Sequence, residues 1–199
     1  MPFDIDSYSE LRPFLYHLTH RENLLRLQLS MRLESAERLL KSFGQTEQLR
    51  NKREDSVVLR IDGNSVRLTD QAPLYCANIE FEAGWDFNRF IAHLNQFVFF
   101  WSGNEDGPVA HGQRHFRRYS REHPVILRVP FTSIVSSNRC APLFCRYNSG
   151  SPRCVRGRKS PRGHGTFLEA AACDFARSDV VEVVFKGFVQ LPVDIQFRE

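Results

Sequence analysis

One carboxylate set inside an apolar run constrains this chain more than any other feature. Val180-Val181-Glu182-Val183-Val184-Phe185 packs five strand-forming residues around Glu182. Such a density of β-branched and aromatic side chains suits a strand covered on both faces. Period-two alternation puts Glu182 on one face with Val180 and Val184. A carboxylate on an apolar face is costly unless it is paired or opens on a cleft. The plainer alternative is an edge strand whose glutamate meets water.

A second interrupted strand lies near the start, where Tyr16-His17-Leu18-Thr19-His20 sets polar groups into a short aromatic run. Residues 14–19 read as a buried strand and 97–101 (FVFFW) as a central one. Residues 57–61 and 66–68 flank Asp62-Gly63-Asn64, a tight-turn signal that predicts a hairpin. Residues 125–129 form a strand that Pro130 ends. Helical spacing marks 23–29, with Thr19 or His20 as cap, and 35–43, with Ser35 as cap and Gly44 as terminator. It also marks 86–94 and, more weakly, the basic segment 109–121. Residues 45–55 read as an exposed connection and 139–165 as a long Gly-, Pro-, Ser- and Arg-rich loop. Residues 166–172 begin a strand or a short helix, and 180–191 close the sheet. Strands and short helices without regular βαβ alternation, over 199 residues, predict one α+β domain.

With 42% hydrophobic residues and 17 Phe, the chain can bury a substantial core. No stretch reaches the roughly 20 apolar residues of a membrane span. The acidic start MPFDIDSYSE lacks an export pattern, so a cytoplasmic protein without membrane association is expected. Five irregularly spaced cysteines then read as reduced thiols. Charge is unevenly placed. Residues 111–164 hold twelve Lys and Arg against the single acid Glu122, a net +11, while the rest nets −7. Arg outnumbers Lys eleven to one in that stretch, which favours bidentate phosphate contacts. A polyanionic partner and a solvated arginine-rich face both fit. Cys140, Cys145, Cys154 and His164 match no compact zinc spacing, and His111-x3-His115 has Gly112 where a zincin needs Glu, so no metal is expected. No G-x-S-x-G or phosphate-loop motif is present.

The opening YHLTHRENLLRL resembles the first strand and helix of DarT-like DNA ADP-ribosyltransferases, and VVEVVFKGFVQLP resembles their last strands. Between them VRLTDQAPLY, LNQFVFFW, NSGSP and PRGHGTF are similar to an uncharacterised bacterial family associated with the same fold. The resemblance covers most of residues 14–192. It implies a split antiparallel β-sandwich with short flanking helices that binds NAD, as substrate, between two small sheets. The implied reaction moves ADP-ribose to a DNA or RNA base, with protein or water as other acceptors, or an inactive binding module on the same fold. A bacterial toxin or phage-defence setting, with an antitoxin or inhibitor protein as partner, follows from the same resemblance.

By match, His17 with Thr19 and Asn23 holds the NAD ribose and nicotinamide amide, and Glu182 holds the nicotinamide ribose hydroxyl. Phe100 and Trp101 are the stacking candidates, and both also suit plain core. The arginine these enzymes carry after the middle strand is replaced here by Ser102-Gly103-Asn104. Arg162, in the Pro-Arg-Gly-His-Gly-Thr-Phe run, is the substitute, because glycines let backbone approach a phosphate. Arg114, Arg117, Arg118, Arg121, Arg156, Arg158 and Lys159 are the expected nucleic-acid contacts.

Overall fold

The structure is a computed structural model that describes residues 3–61 and 63–198. Asp4 starts α1 (Ile5–Leu11), a helix that sequence pattern does not announce, by accepting the Ser7 N–H at 2.9 Å. β1 (Phe14–His20) passes through a 3-10 turn into α2 (Leu24–Ser30), then β2 (Arg32–Glu34). Neither Thr19 nor His20 provides a side-chain cap here, contrary to expectation. Ser35 does cap α3 (Ala36–Ser42), through the Arg38 N–H. β3 (Val57–Ile61) and β4 (Asn64–Leu68) form the expected hairpin, with Gly63 at φ +78°; Asp62 lies outside the described residues. β5 (Ile79–Phe81) precedes α4 (Phe87–Asn95), capped by Asp86.

β6 (Phe97–Asn104), β7 (Gly107–Pro108), α5 (Ala110–Tyr119), β8 (Pro124–Pro130) and α6 (Phe131–Ser136) follow. Within the expected long loop the structure forms two short strands, β9 (Leu143–Cys145) and β10 (Ser160–Arg162). β11 (Glu182–Lys186), β12 (Phe188–Gln190) and β13 (Gln196–Arg198) close the chain. Residues 180–191, expected to close the sheet, turn at Gly187, φ +78°, so that β11 stays in the main sheet and β12 pairs with β2 in another. Residues 166–172 form short 3-10 turns.

The main sheet runs β13-β8-β1-β6-β11-β9, with β7 on β6, all antiparallel. Three two-stranded pieces flank it, β12-β2, β3-β4 and the parallel pair β10-β5. Mixed helices and mostly antiparallel strands fit the α+β class. One face of the sheet buries Leu15, Val98, Phe100, Leu127, Phe144 and Phe185 against Tyr8 and α6. The other packs Phe97, Val184 and Cys145 on α4. A third cluster joins α3 to the β3–β4 hairpin.

The pairing of β1 is uneven along its length. β1 stays on β8 through all seven residues, from Phe14↔Pro130 to His20↔Pro124. It pairs with β6 only from Phe14↔Gly103 to Tyr16↔Trp101. From His17 onward the sheet forks, and the gap between β1 and β6 opens towards α5 and the β3–β4 hairpin.

Candidate functional site

A cavity of about 360 Å³ occupies this region, within the range of small-molecule sites. Its lining includes His17, Phe99, Trp101 and Glu182 from the sheet, His111, Arg114, His115 and Arg118 from α5, and the Asn148–Ser151 turn. Glu182, Trp101 and Tyr16 stand in cross-strand register, so their side chains leave the same face. β11 lies between β6 and β9, so Glu182 is not on an edge strand; it is 3% exposed. Val180, expected on the glutamate's face, precedes the strand and packs in the opposite core.

The Glu182 carboxylate accepts the Ser149 N–H, at 3.2 and 3.3 Å from its two oxygens. Burial drives its pKa up to about 7, and the Ser149 bonds and the Arg162 charge offset only part of that cost. His17 bridges the fork: its Nδ1 lies 2.8 Å from the Phe99 carbonyl oxygen. A carbonyl only accepts, so Nδ1 carries the proton and neutral Nε2 is left as an acceptor. Burial lowers the His17 pKa, which favours that neutral form.

α5 lies along one wall with His111, Arg114, His115 and Arg118 on a shared face. Gly112 lets it close on the sheet, since a Cβ there would stand 2.8 Å from the Trp101 ring and from Pro108. His115 packs on Trp101 (5.5 Å between centroids) and Tyr119 (4.9 Å), and burial lowers its pKa to about 4. The Tyr119 hydroxyl donates to Asp70 at 2.7 Å, and burial followed by that bond raises its pKa. Asp70 also accepts the Ala72 N–H and meets Arg118 at 3.4 Å. It therefore braces the cavity wall.

The sequence-derived candidates divide on this geometry. His17, Trp101, Glu182, Arg114 and Arg118 line the cavity. Phe100 does not: it alternates to the opposite face, fully buried in the main core. Thr19 and Asn23 line a smaller adjoining cavity of about 140 Å³. Both ends of the Asn23 amide are engaged by the Arg67 backbone, at 2.8 Å each, which fastens β4 to the first turn after β1. Arg117 and Arg121 sit exposed on and after α5. Arg156, Arg158 and Lys159 are exposed around a tight hairpin closed by reciprocal Val155–Arg158 backbone bonds of 3.0 Å.

Arg162 is 1% exposed and does not line the cavity. Its guanidinium donates to Ser160 Oγ and the Pro161 carbonyl, 2.7 Å each, and to the Asn148 carbonyl at 3.0 Å, with its Cζ 4.6 Å from the Tyr147 ring centroid. The glycines beside it serve a different anion from the expected phosphate. The His164 and Gly165 N–H groups grip the Glu82 carboxylate at 2.9 and 3.2 Å.

Sequence reasoning misses Arg53. It falls in the polar segment read as exposed, yet it is 9% exposed, lines the cavity, and donates to Asn95 Oδ1 at 2.9 Å and the Thr69 carbonyl at 3.1 Å. Burial lowers its pKa to about 10. Phe99 and His115 are missed as well. Period-two spacing from Trp101 could have found Phe99.

The profile of a family of unknown function, DUF7002, matches residues 13–194. The chain belongs to that family. The DUF7002 span takes in both arms of the fork and the whole cavity lining, and leaves out α1 and β13. No curated protein and no solved structure matches the chain. Among the described residues no helix is long and apolar enough to cross a membrane, and no group of three or more His, Cys, Asp or Glu is placed to hold a metal ion.

Proposed function

We propose that the forked-sheet cavity binds NAD, opens its nicotinamide–ribose bond and passes ADP-ribose to a nucleic-acid base. The observation that carries this reading is that His17 and Glu182, 165 positions apart, both line one cavity, on strands to either side of β6. His17 Nε2 accepts a ribose hydroxyl, while Trp101 and Phe99 offer flat apolar surface to the nicotinamide ring. The C1′–N bond breaks with its electron pair going to the ring nitrogen, which neutralises the pyridinium. The positive charge left on the ribose is met by the fixed, desolvated Glu182 carboxylate. The acceptor nitrogen or oxygen bonds to C1′ and gives up its proton to Glu182, whose raised pKa suits it to receive one.

Arg117 and Arg121, together with the Arg156–Lys159 hairpin, supply exposed charge for a polyanionic acceptor, reached as a single strand or an extruded base. Protein modification and NAD hydrolysis share the first chemical step and differ only in the acceptor. A toxin or defence role, with an inhibitor partner, belongs to the same reading.

A second reading has an observation of its own. Ser102 is buried against the Tyr8 hydroxyl at 2.7 Å, and Gly103 lies against the Tyr16 ring, so no cation follows the middle strand. This favours a binding module without turnover. Incubation with adenine-labelled NAD and separate DNA, RNA and lysate fractions decides. Label fixed to nucleic acid supports transfer, and label on protein or only in free ADP-ribose moves the acceptor. Intact NAD in every fraction leaves the binding module.

A further inference from the structure

We propose that His111, Arg114 and Arg153 form a phosphate cradle on the wall of the Glu182 cavity, shaped for the pyrophosphate of a dinucleotide. All three line that cavity. Arg114 follows His111 by three residues on α5, so the two share a helix face. Arg153 enters from the chain leaving the Asn148–Ser151 turn.

The other cavity cations are already engaged. Arg118 meets Asp70, and Arg53 is committed to Asn95 and Thr69. The acid Glu34 is taken by Arg26 and Arg38. Among the described residues, Arg114 and Arg153 make neither an ion pair nor a hydrogen bond, yet both stand close enough to His111 for their charges, after burial, to lower its pKa. Like charges gathered at a cavity without a counter-ion are unfavourable alone and favourable around an anion. The start of α5 adds to this field, having no acidic residue in its first turn and no side-chain cap. Guanidinium pairs suit phosphate oxygens, which each can meet in bidentate fashion.

The root of Arg153 is held in place. Pro152 is buried and its carbonyl accepts Asn78 Nδ2 at 3.1 Å, while the Ser151 N–H closes the preceding turn on the Asn148 carbonyl at 3.2 Å. That same turn delivers the Ser149 N–H to Glu182. A single short segment thus presents the carboxylate's donor and, four residues later, a phosphate ligand. The cradle supplies the cation that Ser102-Gly103-Asn104 does not.

The choice of a dinucleotide rests on the NAD reading; the phosphate chemistry does not. Backbone phosphates of a nucleic acid are the other source of the same oxygens. Calorimetric titration of the full chain with inorganic pyrophosphate, ADP-ribose and a single-stranded oligonucleotide separates them. The variants are Arg114→Ala/Arg153→Ala and, as control, Arg50→Ala/Arg60→Ala, which lie outside the cavity lining; all four side chains are exposed, and circular dichroism checks the fold. The expected result is a loss of at least about tenfold in affinity for pyrophosphate and ADP-ribose in the first pair and no change in the second. No pyrophosphate binding to the wild type, or equal binding to the first pair, overturns the cradle. A tenfold loss for the oligonucleotide with ADP-ribose unaffected also overturns it, by assigning these groups to a strand backbone. If both small anions bind as expected but no nicotinamide is ever released from NAD, the cradle stands and the NAD reading falls.

Discussion

Ser149 and Glu182 meet through a backbone N–H shared between both carboxylate oxygens, at 3.2 and 3.3 Å. Among the described residues no other residue hydrogen-bonds that carboxylate, so a single serine steadies a group that is 3% exposed. The folded pKa, about 7, lies above the ordinary 4.5. The folded chain therefore holds this proton more tightly, and stability falls as pH rises from about 4.5 to 7. Glu182→Gln should remove that slope. In urea denaturation the variant gains on the wild type with rising pH, by on the order of 3 kcal/mol between pH 4 and 8. A constant difference across that range contradicts a buried, ionising Glu182.

Arg162 supports the turn that carries Ser149, so it acts on Glu182 through the backbone. Arg162→Lys keeps the charge but cannot reach Ser160, Pro161 and Asn148 together. Thermal denaturation should show a loss of roughly 2–4 kcal/mol. Any turnover should shift its pH dependence, because the carboxylate's donor loosens. Unchanged stability with abolished turnover would instead put Arg162 in contact with substrate.

Much of the fold was legible because local chemistry and tertiary packing agree. FVFFW could only be a central strand, and Ser35 and Asp86 cap the helices their spacing announced. His17 and Glu182, each a polar group that interrupts an apolar strand, were the two candidates the sequence singled out, and both line the cavity. Arg53 and Arg162 were misplaced for a common reason: each sits in a polar or Gly- and Pro-flanked segment, and the carbonyls that satisfy its guanidinium come from chain far away or from a strand too short to announce itself. Phe100 and Trp101 were inseparable until the β1–β6–β11 register fixed which parity faces the fork. The fork itself is a matter of where one pairing stops, which no single segment records.

Gly112 is a position where two effects oppose each other. Alanine in a helix gains up to about 1 kcal/mol over glycine. Here its Cβ would meet the Trp101 ring and Pro108 at 2.8 Å, and overpacking of that kind costs roughly 1–3 kcal/mol. Gly112→Ala should therefore destabilise and perturb Trp101 fluorescence. A stabilised variant with an unchanged spectrum contradicts the close packing of α5 on β6.

The exposed basic hairpin predicts salt-sensitive binding to single-stranded nucleic acid, with log affinity falling linearly against log salt. Arg156→Ala/Arg158→Ala/Lys159→Ala should flatten that slope by roughly two, at about 0.7 for each phosphate no longer neutralised. Fluorescence anisotropy across a salt series measures it. An unchanged slope moves the nucleic-acid surface elsewhere.

Free nicotinamide released from NAD by the wild type and by Glu182→Gln is the most direct measurement of all. Release by the wild type, reduced about a hundredfold or more in the variant while its near-ultraviolet circular dichroism stays native, is the predicted result. Equal release from both proteins, or none from the wild type with nucleic acid and lysate supplied, contradicts a glutamate that opens the nicotinamide–ribose bond.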